Sequence, residues 1–556
     1  MIGYRELRQL EMDTIEAMGE IGLTNAGRGG LLDVSTLCRV KVSQFYGIEI
    51  DEAAAHIAKV ALWITDHQMN LEAAERFGTT RPSIPLTDSA TLACANSLRI
   101  DWNSVIPAER CSYVLGNPPF IGAKYMSGEQ REDVALILGK IPSGGLLDYV
   151  TCWYVKALPY LQANPAIHAA FVSTNSITQG EQVAVLWGYL LAQGIKIRFA
   201  HRTFQWSNEG KGVAAVHCVV IGFGLNEPAR HTIFDYGNNI KGEPTVLPVK
   251  HINPYLVDAP DVMIEKRNSP ICAAPEMRFG NQPIDGGHFI LNEEERTELI
   301  KQEPEAKKFI RPFLGADEFI NGMPRYCLWL REAKPDELRR LPLVMQRVQA
   351  VKAFRLESKR AATNELAATP SQFAFVSHSE SDYLLLPSVS SERRNFIPIG
   401  FMPPETIASN LCLIVPNANL YHFGILTSTM HNAWTRTVCG RLESRYRYSV
   451  GIVYNNFPWP DAADKHHAAI EAAAQAILDA RALYPESSLA DLYDPLTMPP
   501  ELVKAHAALD KAVDAAYAYK GGKDDAARVA FLFERYQQLT SLLPAATAKK
   551  VRKRSA

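Results

Sequence analysis

The chain has 556 residues, 47% of them hydrophobic and 21% charged, with a formal net charge of −2. That length implies about three domains with ample core, and the near-neutral balance excludes a globally basic nucleic-acid binder, so any such surface has to be a local patch. The nine cysteines include no Cys-x-x-Cys pair, which argues against a zinc site or a disulfide framework and fits a reducing, cytoplasmic setting.

In chain order, Tyr4–Met18 has a helical pattern, Val42–Ile50 ends a strand, and Glu52–His67 is the helix after it. Tyr113–Leu115 is a second strand, Asp148–Leu161 an amphipathic helix, and Ala169–Ser173 and Val216–Phe223 further strand-length runs. Strands alternating with helices predict an α/β domain with a mostly parallel sheet, whose ligands bind beyond the carboxyl ends of the strands. From about residue 236 to 460, proline, glycine and aromatics are dense and short β-like runs alternate with turns, interrupted by one charged helical segment, Asp336–Arg360. Beyond Asn456–Pro460 the chain is alanine-rich and helical, over His466–Leu483, Glu501–Tyr517 and Ala526–Leu542. We divide the chain into 1–235, 236–460, 461–545 and a basic tail, 546–556. The longest apolar stretch, near Ala214–Leu225, is too short and interrupted to span a bilayer, and the N-terminus has no signal-peptide core, so no membrane partner is expected.

The most informative segment is Val-Leu-Gly-Asn-Pro-Pro-Phe, Val114–Phe120. Pro118 and Pro119 fix their own φ angles and keep Asn117 and Pro118 out of the helical region, so the turn is stiff. The Asn117 amide oxygen and the Pro118 carbonyl then form a rigid acceptor pair beside the flat ring of Phe120. Such a pair suits an exocyclic amino group on a planar base. The bland alternative is ordinary turn chemistry. The segment resembles the Asn-Pro-Pro-Phe motif of amino-group DNA methyltransferases, where it is the usual adenine-N6 form.

Earlier, Gly47-Ile48-Glu49-Ile50-Asp51 closes a strand and opens a helix. An acid at such a strand end accepts from ribose hydroxyls in nucleotide-binding sheets, which makes Glu49 a candidate, with Ile50 packing on an adenine ring. Glu49 or Asp51 as a plain helix cap is the competing reading. In Cys94–Trp102, Asn96 fits the polar end of a third strand with Leu98 beside it, although Asn-Ser is also common in turns.

Met1–Glu11, Phe45–Asp51, Ala95–Trp102 and Gly116–Gly122 together resemble the methyltransferase part of the MmeI-like, type IIL restriction–modification enzymes. Phe279–Gly287, Phe309–Ile320, Arg325–Leu330, Ser390–Pro398, Gly440–Ser449 and Tyr454–Pro460 are similar to that family's target-recognition domain, and Leu492–Pro500 with Ala505–Tyr517 to its helical C-terminal region. The resemblance implies an incomplete class I (Rossmann-like) methyltransferase domain, a mixed α+β target-recognition domain and a helical C-terminal region. The implied activity is methyl transfer from S-adenosyl-L-methionine to N6 of a flipped-out adenine in double-stranded DNA. Asn117, Pro118, Pro119 and Phe120 then form the catalytic turn, and Glu49, Ile50, Asn96 and Leu98 the cofactor side. Phe204 or Trp206 is the second wall of the base pocket, core packing at a strand edge being the alternative. Arg393, Arg394, Arg441, Arg445 and Arg447, with Arg436, form two basic clusters suited to guanine and phosphate, and each one singly also reads as a solvated loop arginine.

The departures are as clear. The family's first strand and glycine loop, its connector and its nuclease have no counterpart, and no nuclease carboxylate–lysine set is legible. The sequence therefore reads as the C-terminal part of a larger enzyme: a split subunit, a mis-assigned start or a degraded gene, with an upstream-encoded fragment as the expected partner. A non-catalytic DNA-recognition subunit unable to bind S-adenosylmethionine alone is the second hypothesis. A glutamine-directed protein methyltransferase is the third, disfavoured by the long middle region. No metal and no catalytic His or Cys is expected.

Overall fold

The computed structural model describes residues 1–20, 38–77, 89–206, 216–237 and 239–541. The Ala26–Gly30 glycine cluster and the basic tail lie outside the described residues. The chain folds as two compact units: residues 1–173 with 190–198 and 220–228, and residues 174–189 with 199–219 and 229–556.

The first unit opens with α1 (Ile2–Glu20), β1 (Tyr46–Glu49), α2 (Glu52–Phe77), β2 (Thr91–Cys94) and β3 (Tyr113–Gly116). It continues with α3 (Gly128–Leu138), α4 (Thr151–Ala163) and β4 (His168–Thr174). Next in the chain are helix α5 (Glu181–Ala192) and strands β5 (Lys196–Trp206), β6 (Val216–Gly224), β7 (His231–Asp235) and β8 (Thr245–Val249), of which β7, β8 and most of α5 and β5 belong to the second unit. The parallel arrangement expected from sequence is present in two pieces. β1 and β2 form a two-stranded parallel sheet. The remaining strands form a six-stranded sheet in the order β3-β4-β6-β5-β7-β8. The pairs β3·β4 and β5·β7 are parallel, and β7·β8 is antiparallel. Among the described residues no strand pairs with the second edge of β1 or of β3.

β4 alternates strictly, with Ala169, Phe171 and Ser173 buried. Phe171 packs edge-on to Tyr154 of α4 at 5.2 Å, and Tyr154 stacks on Phe223 of β6 at 5.0 Å. This aromatic block sits directly behind the Asn-Pro-Pro turn: a Cβ on Gly116 would lie 3.0 Å from the Phe171 ring, so a side chain there would require the ring to give way by a few tenths of an ångström. Helix α4 starts three residues later than expected, and Val42–Gln44 is a 3₁₀ turn rather than strand.

Further along the second unit come β9 (Arg278–Phe279), β10 (Ile290–Leu291), β11 (Ile310–Leu314), β12 (Tyr326–Leu328), β13 (Tyr383–Pro387) and β14 (Val389–Ser390). They are followed by β15 (Gly400–Met402), β16 (Ile407–Ala408), β17 (Cys412–Pro416), β18 (Gly440–Leu442) and β19 (Arg445–Arg447). These strands build three small sheets, β10-β12-β11-β16, β15-β13-β17-β9 and β14-β19-β18. The expected helix over Asp336–Arg360 is broken. Pro335 and Pro342 each open a new helix, Pro335–Arg339 and α6 (Pro342–Leu356), because proline lacks the N–H an interior position needs but fits the first turn. The end of the chain contains α7 (Leu420–Thr427), α8 (Thr429–Val438), α9 (Asp464–Ala482), α10 (Pro500–Ala516) and α11 (Asp525–Ser541). α9 packs on α7 and α10, and α8 on α11. The Tyr454–Pro460 motif is a structural knot: Asn456 is buried, donates to the carbonyls of Glu265 and Gly451 and accepts from Arg267 and Tyr536.

Candidate active site and nucleic-acid interface

β3 ends at Gly116, and Asn117–Phe120 leave it as an irregular turn. Pro118 is buried and anchors the turn, Asn117 and Pro119 are exposed, and Phe120 is half-buried. Neither the Asn117 amide nor the Pro118 carbonyl has a hydrogen-bond partner among the described residues. The next residues are clamped, since Ala123 N–H donates to the Asp148 carboxylate (3.1 Å) and Tyr149 N–H to the Ile121 carbonyl (2.9 Å). A stiff turn held from both sides thus presents two open acceptors beside an aromatic ring.

On the other sheet, Glu49 closes β1 opposite Cys94 of β2, and Ala95 N–H donates to the Glu49 carbonyl. The helix cap is made by Asp51, whose carboxylate accepts from Ala54 N–H at 2.8 Å, the N-cap geometry. Glu49 is therefore not needed as the cap; one of its oxygens accepts from Asp51 N–H at 3.1 Å. Ile50 is 68% exposed. The structure brings Glu49, Ile50 and the end of β2 together.

Asn96 is engaged within the protein. Its oxygen accepts from Leu98 N–H and its amide donates to Asp133 at 3.0 Å. Leu98 is fully buried. Asp133, on α3, also receives Arg99 and the Tyr149 hydroxyl. Burial alone would raise its pKa, but these donors hold the carboxyl below the usual carboxylate range. A hydrogen-bond chain thus runs from Asn96 through Asp133 and Tyr149 to the turn after Phe120. Sequence reading missed Asp133 and Asp148, because nothing local distinguishes them from solvated acids on a charged helix or turn.

Phe204 and Trp206 belong to the second unit. The Phe204 ring stacks on Tyr236 at 5.2 Å and meets His201 edge-on, so it has sheet neighbours of its own. Trp206 closes β5, and its side chain lies outside the described residues.

The basic clusters divide by burial. On β19, Arg445 and Arg447 share one exposed face while Tyr446 turns inward. Glu443 pairs with Arg445 at 3.0 Å. Arg441 lies over the Tyr446 ring at 3.9 Å and donates to the Ser444 and Arg436 carbonyls. Arg393 is exposed, and Arg394 is half-buried, which pushes its pKa down. Arg436 corrects the expectation: it forms a two-armed ion pair with Asp525 and donates to the Asn395 carbonyl, joining α8 to α11. Two arginines of α6, in the charged segment, are likewise engaged within the protein, Arg347 on Glu295 and the His288 carbonyl and Arg355 fully buried.

Parallel strands in two sheets, with Asn-Pro-Pro-Phe beyond one strand and an acid at the end of another, define a mixed α/β domain of the methyltransferase class. Models of the MmeI DNA-methyltransferase domain, target recognition domain and C-terminal domain match residues 1–235, 258–461 and 462–544. The solved structure of the Type IIL restriction-modification enzyme MmeI in complex with DNA is 51% identical, with a TM-score of 0.85 over 97% of this chain and 71% of that one. The chain belongs to the MmeI family. It is also 40% identical over 544 residues to DNA methyltransferase A of Bacillus subtilis (strain 168), covering 97% of this chain and 60% of that protein. It therefore spans about 60% of the length of this curated relative. No helix among the described residues is long and apolar enough to cross a membrane.

Proposed function

We propose that this chain is the base-modifying and DNA-reading part of a site-specific adenine-N6 DNA methyltransferase of a restriction–modification system, acting in the cytoplasm. The observation that carries the reading is the open acceptor pair, Asn117 Oδ1 and the Pro118 carbonyl, on a clamped turn at a parallel strand end. A flipped adenine would donate both N6 protons to this pair, which exposes the nitrogen lone pair, while Phe120 stacks on one face of the base. Phe204, or Trp206, is the proposed second wall. No strong general base is required, because orientation supplies much of the rate. Arg393, Arg394, Arg441, Arg445 and Arg447 are the proposed contacts to duplex DNA.

S-adenosyl-L-methionine, when bound, would supply the electrophilic methyl group. The residues present suit its nucleoside half: Glu49 has an oxygen without a described partner for ribose hydroxyls, and Ile50 an exposed apolar surface for adenine. Asn96 and Leu98 support the β2 end from within. The methionine half has no matching residues among those described, so a separately supplied strand and glycine loop is proposed as partner.

The reading is tested in cells expressing the chain with such a fragment. Plasmid DNA is expected to carry N6-methyladenine at one sequence motif, and to carry none with Asn117→Ala; unmarked DNA in both overturns it. The interrupted sheet favours a second reading, a recognition-only subunit. Calorimetry on the isolated chain discriminates, since binding of S-adenosylmethionine at micromolar affinity would exclude that alternative.

A further inference from the structure

The second unit contains an open cleft of about 490 Å³ that the arginine clusters do not include. It is lined by Arg278, Arg331, Ser377, His378, Ser381 and Asn417, among others. Arg278 comes from β9 and donates one arm to the His378 carbonyl at 3.2 Å, which fixes its guanidinium, while its buried Nε has no partner. Arg331 follows β12 and is exposed. Neither arginine pairs with a carboxylate among the described residues, and Glu380 is the one acid on the cleft wall. His378 leans on Trp329 at 5.4 Å. Burial holds its pKa below the ordinary value, and Arg331, Arg311 and Arg278 push the same way against Glu380. Two guanidiniums without a carboxylate partner on one open cleft are what a bound oxyanion satisfies best.

The position matters as much as the charge. β13 and β17 are antiparallel, and the cleft lies at their Tyr383/Pro416 end. The exposed Arg445–Arg447 face joins at the other end, where Val389 pairs with Arg447. Eight residues of largely extended chain, from Ser381 to Val389, separate the two, roughly 25 Å at about 3.3 Å per residue. One phosphate cannot touch both, whereas a duplex can.

We propose that this cleft is an oxyanion site that takes a phosphate group, its source being a backbone phosphodiester of duplex DNA remote from the base-reading arginines. The proposal rests on the DNA-binding reading above. It assigns Arg278 and Arg331 an affinity role without sequence information.

The test compares the full chain with Arg278→Gln/Arg331→Gln on duplexes with and without the methylated motif, by fluorescence anisotropy across a salt series. The double variant is expected to bind both duplexes weaker by the same factor, on the order of tenfold. Its log–log salt slope should be shallower by about one, for the loss of one phosphate contact. Unchanged affinity and slope, where Arg445→Gln does weaken binding, overturns the cleft and leaves the DNA reading intact. If no form binds duplex, the DNA reading fails, and inorganic phosphate then decides the cleft. A fluorescence change at Trp329 that is lost in both Trp329→Phe and the double variant supports a free-phosphate source; no change overturns the site.

Discussion

The two units handle their surfaces in opposite ways. The second encloses large polar side chains and bonds them internally. Arg355 is fully buried, yet donates to five carbonyls, those of Pro283, Ile284, Leu366, Thr369 and Gln372. His431 is bonded to Tyr448, and His506 to Tyr493, both inside the core. The first unit leaves apolar groups outside. Tyr113 and Leu115 on β3 are 62% and 72% exposed, and Ile57, Val60 and Ile64 make an exposed row on α2. Parallel sheets are normally covered on both faces, because their crossovers place helices there. The first unit therefore presents its Asn-Pro-Pro turn and an unpaired strand edge outward.

This contrast is sharpest at single residues. Arg355→Ala should orphan five carbonyls in the second unit and destabilise it by more than about 3 kcal/mol in urea unfolding. A loss under about 1 kcal/mol would mean water replaces the guanidinium and the unit is not closed. In the first unit, Asn117→Ala should lower methyl transfer by a factor on the order of 10²–10³. The same change should leave stability within about 0.5 kcal/mol, since the side chain is exposed and unbonded. Comparable loss of both would show that the turn is structural.

Acid should separate the regions next. Burial depresses His431 and His506 to about 3, so both are neutral in the fold. The unfolded chain takes up these protons near pH 6.5. Stability of the second unit is therefore full above about pH 6.5 and falls as the pH drops towards 3, by about 1.4 kcal/mol per pH unit for each histidine. Unfolding curves between pH 7 and 5 check the slope, which His431→Gln should halve. The smallest effect is at the open edge. Leu115→Lys should change stability by no more than about 0.5 kcal/mol while reducing self-association in sedimentation, because an unpaired apolar strand edge invites pairing.

Much of the candidate site was legible locally. The Asn-Pro-Pro-Phe turn is built from two prolines and a glycine whose constraints are covalent, and it appears where the sequence placed it. The three C-terminal helices fall within two residues of their expected starts, their alanine-rich pattern being a short-range signal. Asp51 against Glu49 was left open by sequence, and the structure gives the cap to Asp51.

What only the tertiary structure decided is which polar groups are already engaged. Arg436 reads like its neighbours in sequence, yet its partner, Asp525, lies 89 residues further on. Asn96 meets Asp133 across 37 residues, and Arg355 collects carbonyls from two separate loops. The Arg278–Arg331 cleft joins residues from four stretches of chain, with no motif in any of them. Backbone constraint is inherited from neighbouring residues, so sequence carries it. Hydrogen-bond partners and burial are set by contacts distant in the chain, so the same arginine is a structural clamp or an open cation according to where the fold puts it.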